Sequence, residues 1–145
     1  MRHVYVRNGM RKFLGGLVVC VALTLLVGCS KDEQPMEPND EKPAFVGQFQ
    51  SSAHPTSGTA SINTDETTLT FSAFKTDSGP NLDIYLVSDL GNIEGDYIDL
   101  GDIKGVDGDY TYALPAGTDF TVYKYVVVWC VAVDINFGYA QLIPQ

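Results

Sequence analysis

The sequence predicts an all-β domain built as an antiparallel two-sheet β-sandwich, jelly-roll-like or immunoglobulin-like in type. Three observations predict it. Segments that alternate polar and apolar residues recur beyond residue 66, turn residues separate them at intervals of roughly ten residues, and no segment carries a helical period.

Taken in order, the first clear strand is Thr67-Thr68-Leu69-Thr70-Phe71-Ser72-Ala73-Phe74, whose alternation suits a strand with one buried face. Asp77-Ser78-Gly79-Pro80 is a turn leading into Asn81-Leu82-Asp83-Ile84-Tyr85-Leu86-Val87, which alternates again. Tyr97-Ile98-Asp99-Leu100 and Tyr110-Thr111-Tyr112-Ala113-Leu114 are shorter strands, with Gly101, Gly105 and Asp107-Gly108 as turn residues between them. Tyr125-Val126-Val127-Val128-Trp129-Cys130-Val131-Ala132-Val133 is apolar at nearly every position, which requires burial on both faces and predicts a central strand. Residues 135–142 then form its antiparallel neighbour, joined through Asp134. Upstream, His54-Pro55-Thr56-Ser57-Gly58 reads as a turn between two strands.

Two segments of different character precede this domain of residues 44–145. In residues 1–28, Arg2, Arg7, Arg11 and Lys12 make a basic start, and Phe13–Val27 is an uncharged apolar run. A membrane span needs about 20 apolar residues, so the run suits a signal-peptide core instead. It ends in Leu26-Val27-Gly28-Cys29, which resembles the lipobox read by the lipoprotein signal peptidase. A small residue precedes the cut, and the Cys29 sulfur would take the diacylglycerol. Cys20 is no rival, because branched Val19 precedes it. Residues 29–43 are rich in charge and proline and nearly lack apolar side chains, which predicts a disordered spacer behind the lipidated cysteine. The expected location is extracytoplasmic, held on a lipid bilayer through Cys29. Ser30 favours the outer membrane, and Lys31-Asp32-Glu33 is similar to a short signal for display on the outer face.

Removal of residues 1–28 takes away four of the nine basic residues and none of the eighteen acidic ones, leaving a formal charge of −13. So acidic a chain excludes nucleic acid as a partner, since phosphate binding needs clustered Lys and Arg. Cys130 becomes the single free thiol and His54 the single imidazole. A lone cysteine in an oxidising compartment is a candidate redox thiol or cofactor ligand, and equally a small apolar filler. Alternation places Cys130 on the face of Val126 and Val128, with Trp129 on the other. One histidine and one cysteine are too few for a blue-copper site or structural zinc, and a Cys-x-x-Cys-His haem attachment motif is absent. Asp107 and Asp109, in an acidic stretch, are a weak calcium possibility or simply turn residues. The tyrosines offer a carbohydrate-binding face or strand surfaces. With one histidine and no Ser-His-Asp set, little argues for an enzyme.

Several ordered blocks carry a family resemblance. Gly47-Gln48-Phe49 and His54-Pro55-Thr56-Ser57-Gly58-Thr59-Ala60 open it, and Leu69–Phe74, Asp77–Leu82, Tyr85-Leu86, Leu100-Gly101 and Tyr112–Pro115 continue it. Val126-Val127-Val128-Trp129-Cys130 and Asn136–Ala140 close it. Together they resemble the electron-transfer DM13 domain over nearly all of Ala44–Leu142. The resemblance implies a surface electron-transfer role, with the family's hallmark cysteine at Cys130 acting as a bare thiol or as ligand to a prosthetic group such as haem, and a redox or surface partner. By residue count, His54 is the one imidazole that could stand opposite a haem held by Cys130. The alternative is a non-catalytic binding or structural module, for a ligand or carbohydrate, with Cys130 as core filler.

Overall fold

The computed structural model describes residues 41–145. The expected signal peptide, Cys29 and most of the expected spacer lie outside the described residues. Nine strands run β1 Phe45–Ser51, β2 Thr56–Ile62, β3 Thr68–Thr76, β4 Leu82–Val87, β5 Tyr97–Asp102, β6 Asp107–Ala113, β7 Tyr125–Cys130, β8 Ile135–Gln141 and β9 Ile143–Pro144. Among the described residues the one helical element is a 3-10 turn, Ile93–Gly95. The all-β expectation holds, and every ladder is antiparallel.

The two-sheet expectation is revised. The strands follow one continuous order, β5-β4-β7-β8-β1-β2-β3-β6, with β9 beside β1, and the sheet is nearly closed into a barrel. β1 makes this possible by changing partners along its length. Phe45–Gln48 pair with β2, and Phe49–Ser51 pair with β8. Short-range alternation is the same in a sandwich and a barrel, so the distinction lies in this shared strand. The two ends of the sheet, β5 and β6, are consecutive in the chain. The connection between them is tied down where the Lys104 amide donates to Tyr112 Oη at 3.0 Å and the Thr76 amide to the Val106 carbonyl at 2.9 Å.

Inward-facing residues fill the barrel. Phe49 meets Phe71 and Phe74 edge-to-face, and those two are tilted against each other, with centroids 4.9–5.0 Å apart; Leu69, Ile62, Ile84, Leu86, Val126, Val128 and Cys130 pack with them in the same core. At roughly 1.5–3 kcal/mol per large apolar side chain, this burial is the main force closing the sheet. β7 is buried on both faces, as its continuous apolar run requires: Val127 and Trp129 belong to a second cluster outside the barrel with Tyr85, Val87 and Ile93. β7 is shorter than the apolar run, ending at Cys130, because Val131–Asp134 turn back, with Asp134 at φ +54°. Thr56-Ser57-Gly58, read as turn, belong to β2. The bulge in β2 between Ser57 and Thr59 accommodates Gly58 at φ +112°, so turn-forming residues serve a strand irregularity here.

Candidate functional site

Cys130 sits at the last position of β7, opposite Leu82 of β4 and Ile135 of β8. Its side chain points into the barrel and is fully buried. The thiol donates to the Pro80 carbonyl at 3.0 Å, so the Asp77–Asn81 turn closes over the sulfur. The turn is held in turn by the Val131 amide, which donates to the Asn81 carbonyl at 3.0 Å. Asn81 takes the left-handed conformation, φ +56°, which an asparagine tolerates.

The same turn reaches His54. Gly79 packs against the Phe137 ring so closely that a Cβ on it would meet the ring at 2.7 Å, so only glycine fits there. His54 stacks on that ring from the outside, centroids 3.8 Å apart, and its Nδ1 lies 3.0 Å from Asp77 Oδ2. The structure thus gathers Cys130, the Asp77–Asn81 turn, Phe137 and His54 at one end of the barrel. Cys130 is inside and His54 is half-exposed outside.

A haem ligand needs its sulfur at the wall of a cavity wide enough for the ring. Cys130 Sγ is instead enclosed by core side chains and the Pro80 carbonyl. The two cavities described on the surface, about 400 and 190 Å³, are lined by neither Cys130 nor His54. Cys130 and His54 therefore do not hold a haem in this arrangement. Asp107 and Asp109 are engaged locally: Asp107 Oδ2 lies 3.2 Å from Lys75 Nζ, and Asp109 Oδ1 accepts the Ala73 amide at 2.7 Å, bracing a bulge where Ala73 has φ +48°. Among the described residues no group of three or more His, Cys, Asp or Glu is placed to hold a metal ion. Cys29 lies outside the described residues.

A second feature emerges only from the strand register. On the outer face, Asp102, Asp83, Trp129 and Asn136 form one cross-strand row over β5, β4, β7 and β8, and Asp99, Tyr85, Val127 and Tyr139 form the next. Diagonally across these rows, Tyr97 stacks on Tyr85 with centroids 4.3 Å apart and 21° between planes, and Tyr85 lies 6.4 Å and 26° from Trp129. Diagonal neighbours on one face are within reach of aromatic rings. Tyr97 is 41% exposed, whereas Tyr85 and Trp129 are 5% and 7% exposed. Asp83 Oδ1, Trp129 Nε1 and Asn136 Oδ1 are buried atoms without a hydrogen-bond partner, all in a single row. Burial, then the charges of Asp99 and Asp102, raise the Asp83 pKa, and a hydrogen bond with Asp102 adds to this. Burial, with Asp99 next, pushes Tyr85 up to about 12. The alternation of Asp83, Tyr85 and Val87 was visible in the sequence, but which strand would lie beside them was not.

Comparison with known proteins gives one match. Residues 48–142 fit the family model described as electron transfer DM13. No curated protein and no solved structure matches.

Proposed function

Since the chain belongs to the electron-transfer DM13 family, we propose that it is an extracytoplasmic lipoprotein, held on a bilayer through Cys29, whose barrel passes electrons by way of Cys130. The observation that carries this reading is the enclosure of Cys130 at the Pro80 carbonyl, within the matched residues. A fully buried thiol is protected from disulfide exchange, which requires access to the sulfur. Outer-sphere loss of an electron needs no such access. The step removes one electron and the thiol proton from Cys130, leaving a sulfur radical. The electron passes to a one-electron acceptor on a partner, and the proton leaves past the Pro80 carbonyl, to which the thiol already donates, at the exposed turn.

The same full burial favours a second reading, a non-catalytic binding or structural module in which Cys130 is filler. One experiment separates them. The folded protein is treated with photogenerated tris(bipyridine)ruthenium(III), a cationic one-electron oxidant, and then unfolded so that the remaining thiol can be titrated. Loss of thiol titre supports electron transfer. A full titre means that Cys130 is filler. The anchoring is tested separately, by Cys29→Ser, which should abolish incorporation of labelled palmitate into the protein.

A further inference from the structure

The geometry points to an electron port on the outer face of the barrel: Tyr97, Tyr85 and Trp129 form a relay from the surface to the strand that carries Cys130, and its acidic rim receives a positively charged one-electron carrier. This rests on the electron-transfer reading, but the relay itself ends at Trp129.

Four observations carry it. Tyrosine and tryptophan, like cysteine, are side chains that a strong one-electron oxidant can oxidise without a cofactor. Here the three rings lie in one diagonal, each stacked within 26° of its neighbour. Their exposure falls from 41% at Tyr97 to 5% and 7% at the inner two, so the diagonal has one wet end and one dry end. Trp129 is covalently next to Cys130. Electron tunnelling weakens exponentially with distance, so two short ring-to-ring steps are much faster than one long step from solvent. Lastly, the Asp83 carboxylate stands directly across from Trp129, and Asp83 Oδ1 and the indole N–H both lack partners. The two groups do not hydrogen-bond each other, so the carboxylate acts through its charge, which favours the positive charge left on an oxidised indole.

The step balances. An oxidised carrier takes one electron from Tyr97, which is restored by Tyr85, which is restored by Trp129. Each phenol takes back a proton as it is re-reduced. The net change is one electron on the carrier and a radical cation on Trp129, facing the Asp83 carboxylate across the ladder. Charge selects the carrier: Asp83, Asp99 and Asp102 stand on adjoining rows of this face. Lys124, whose ammonium lies 5.5 Å from the Tyr125 ring, is two strands away from Tyr97.

The test uses the full chain and photogenerated tris(bipyridine)ruthenium(III), a cationic one-electron oxidant. Trp129 is the only tryptophan, so a transient indole-radical absorption belongs to it alone. The radical should form in the wild type, and several-fold more slowly in Tyr85→Phe and in Tyr97→Phe, which keep the rings but remove the oxidisable phenols. Asp99→Asn with Asp102→Asn should slow the bimolecular step about tenfold at low salt, and the difference should shrink in high salt. An unchanged rate in Tyr85→Phe overturns the relay, and an unchanged rate in the double asparagine variant overturns the cationic carrier. Cys130→Ala separates this from the preceding proposal. A Trp129 radical that still forms through the tyrosines in that variant supports the port whatever Cys130 does. Loss of Cys130 thiol in a chain whose Trp129 radical ignores both tyrosine variants leaves electron transfer standing and removes the port.

Discussion

The two halves of this barrel are built from the same antiparallel ladders but differ on their outer faces. On β1, β2, β3 and β6, the outer row is Val46, Ser61, Thr70 and Thr111, and beside it Thr59 donates to Gln48 Oε1 at 3.1 Å. That half buries one face, and its strands alternate. On β4 and β7 the outer positions are Tyr85, Val87, Val127 and Trp129, buried beneath Ile93 and flanking aromatic and aliphatic side chains. That half buries both faces. The lesson is that one sheet can combine a solvated wall, which needs only alternation, with a doubly buried wall. Only the doubly buried wall can enclose unpartnered polar atoms and insulate a row of aromatic rings.

The sharpest way to break this comparison is to place the same charge on both outer faces. Val127→Asp puts a carboxylate into a position with no exposure and should cost more than about 4 kcal/mol, or prevent folding. Ser61→Asp on the solvated wall should stay within about 0.5 kcal/mol. Urea denaturation measures both, and similar costs would mean that the walls do not differ.

The seam between the halves is the next test. A Cβ on Gly138 of β8 would lie 2.4 Å from the Thr56 side chain of β2, and Thr56 Oγ1 is already 3.0 Å from buried Thr76 Oγ1. Gly138→Ala should therefore cost about 3 kcal/mol through overpacking, read as a lower urea midpoint with an unchanged slope. A cost near zero would show that the seam yields.

Cys130→Ala deletes one buried sulfur and its bond to Pro80, with an expected loss of about 1–2 kcal/mol. The smallest effect belongs to Asp83. Its folded pKa is raised, so the folded state binds the proton more tightly than the unfolded state. The associated stability is complete below the unfolded value near 3.8 and is lost as pH rises through the folded value. Asp83→Asn should remove that loss, raising stability at pH 7 by under about 1 kcal/mol and flattening the pH profile between acid and neutral pH. Parallel profiles for the two proteins would show that Asp83 is not strained by its neighbours.

Much of the fold was legible because backbone period and burial are local properties. The strands at 67–74 and 81–87 could be assigned from alternation alone, and the run 125–133 announced double burial by being apolar at nearly every position. Alternation also placed Cys130 and Trp129 on opposite faces, as the two clusters have them. The strand at Thr56–Gly58 was hidden because turn-forming residues also serve a bulge. Closure was hidden too: β1 divides its hydrogen bonds between β2 and β8, and no local pattern records which partner a strand will have halfway along.

The sequence by itself determined an all-β chain, a family membership, and one candidate thiol within its most apolar segment. Tertiary structure alone decided that the thiol is sealed beneath the Pro80 carbonyl, that His54 lies across Phe137 from the same turn, and that three aromatic rings line up beside a carboxylate. The physical reason is range. Periodicity and hydrophobicity act between neighbours in sequence, whereas register joins residues tens of positions apart, and a site made of cross-strand neighbours exists only once the strands have paired.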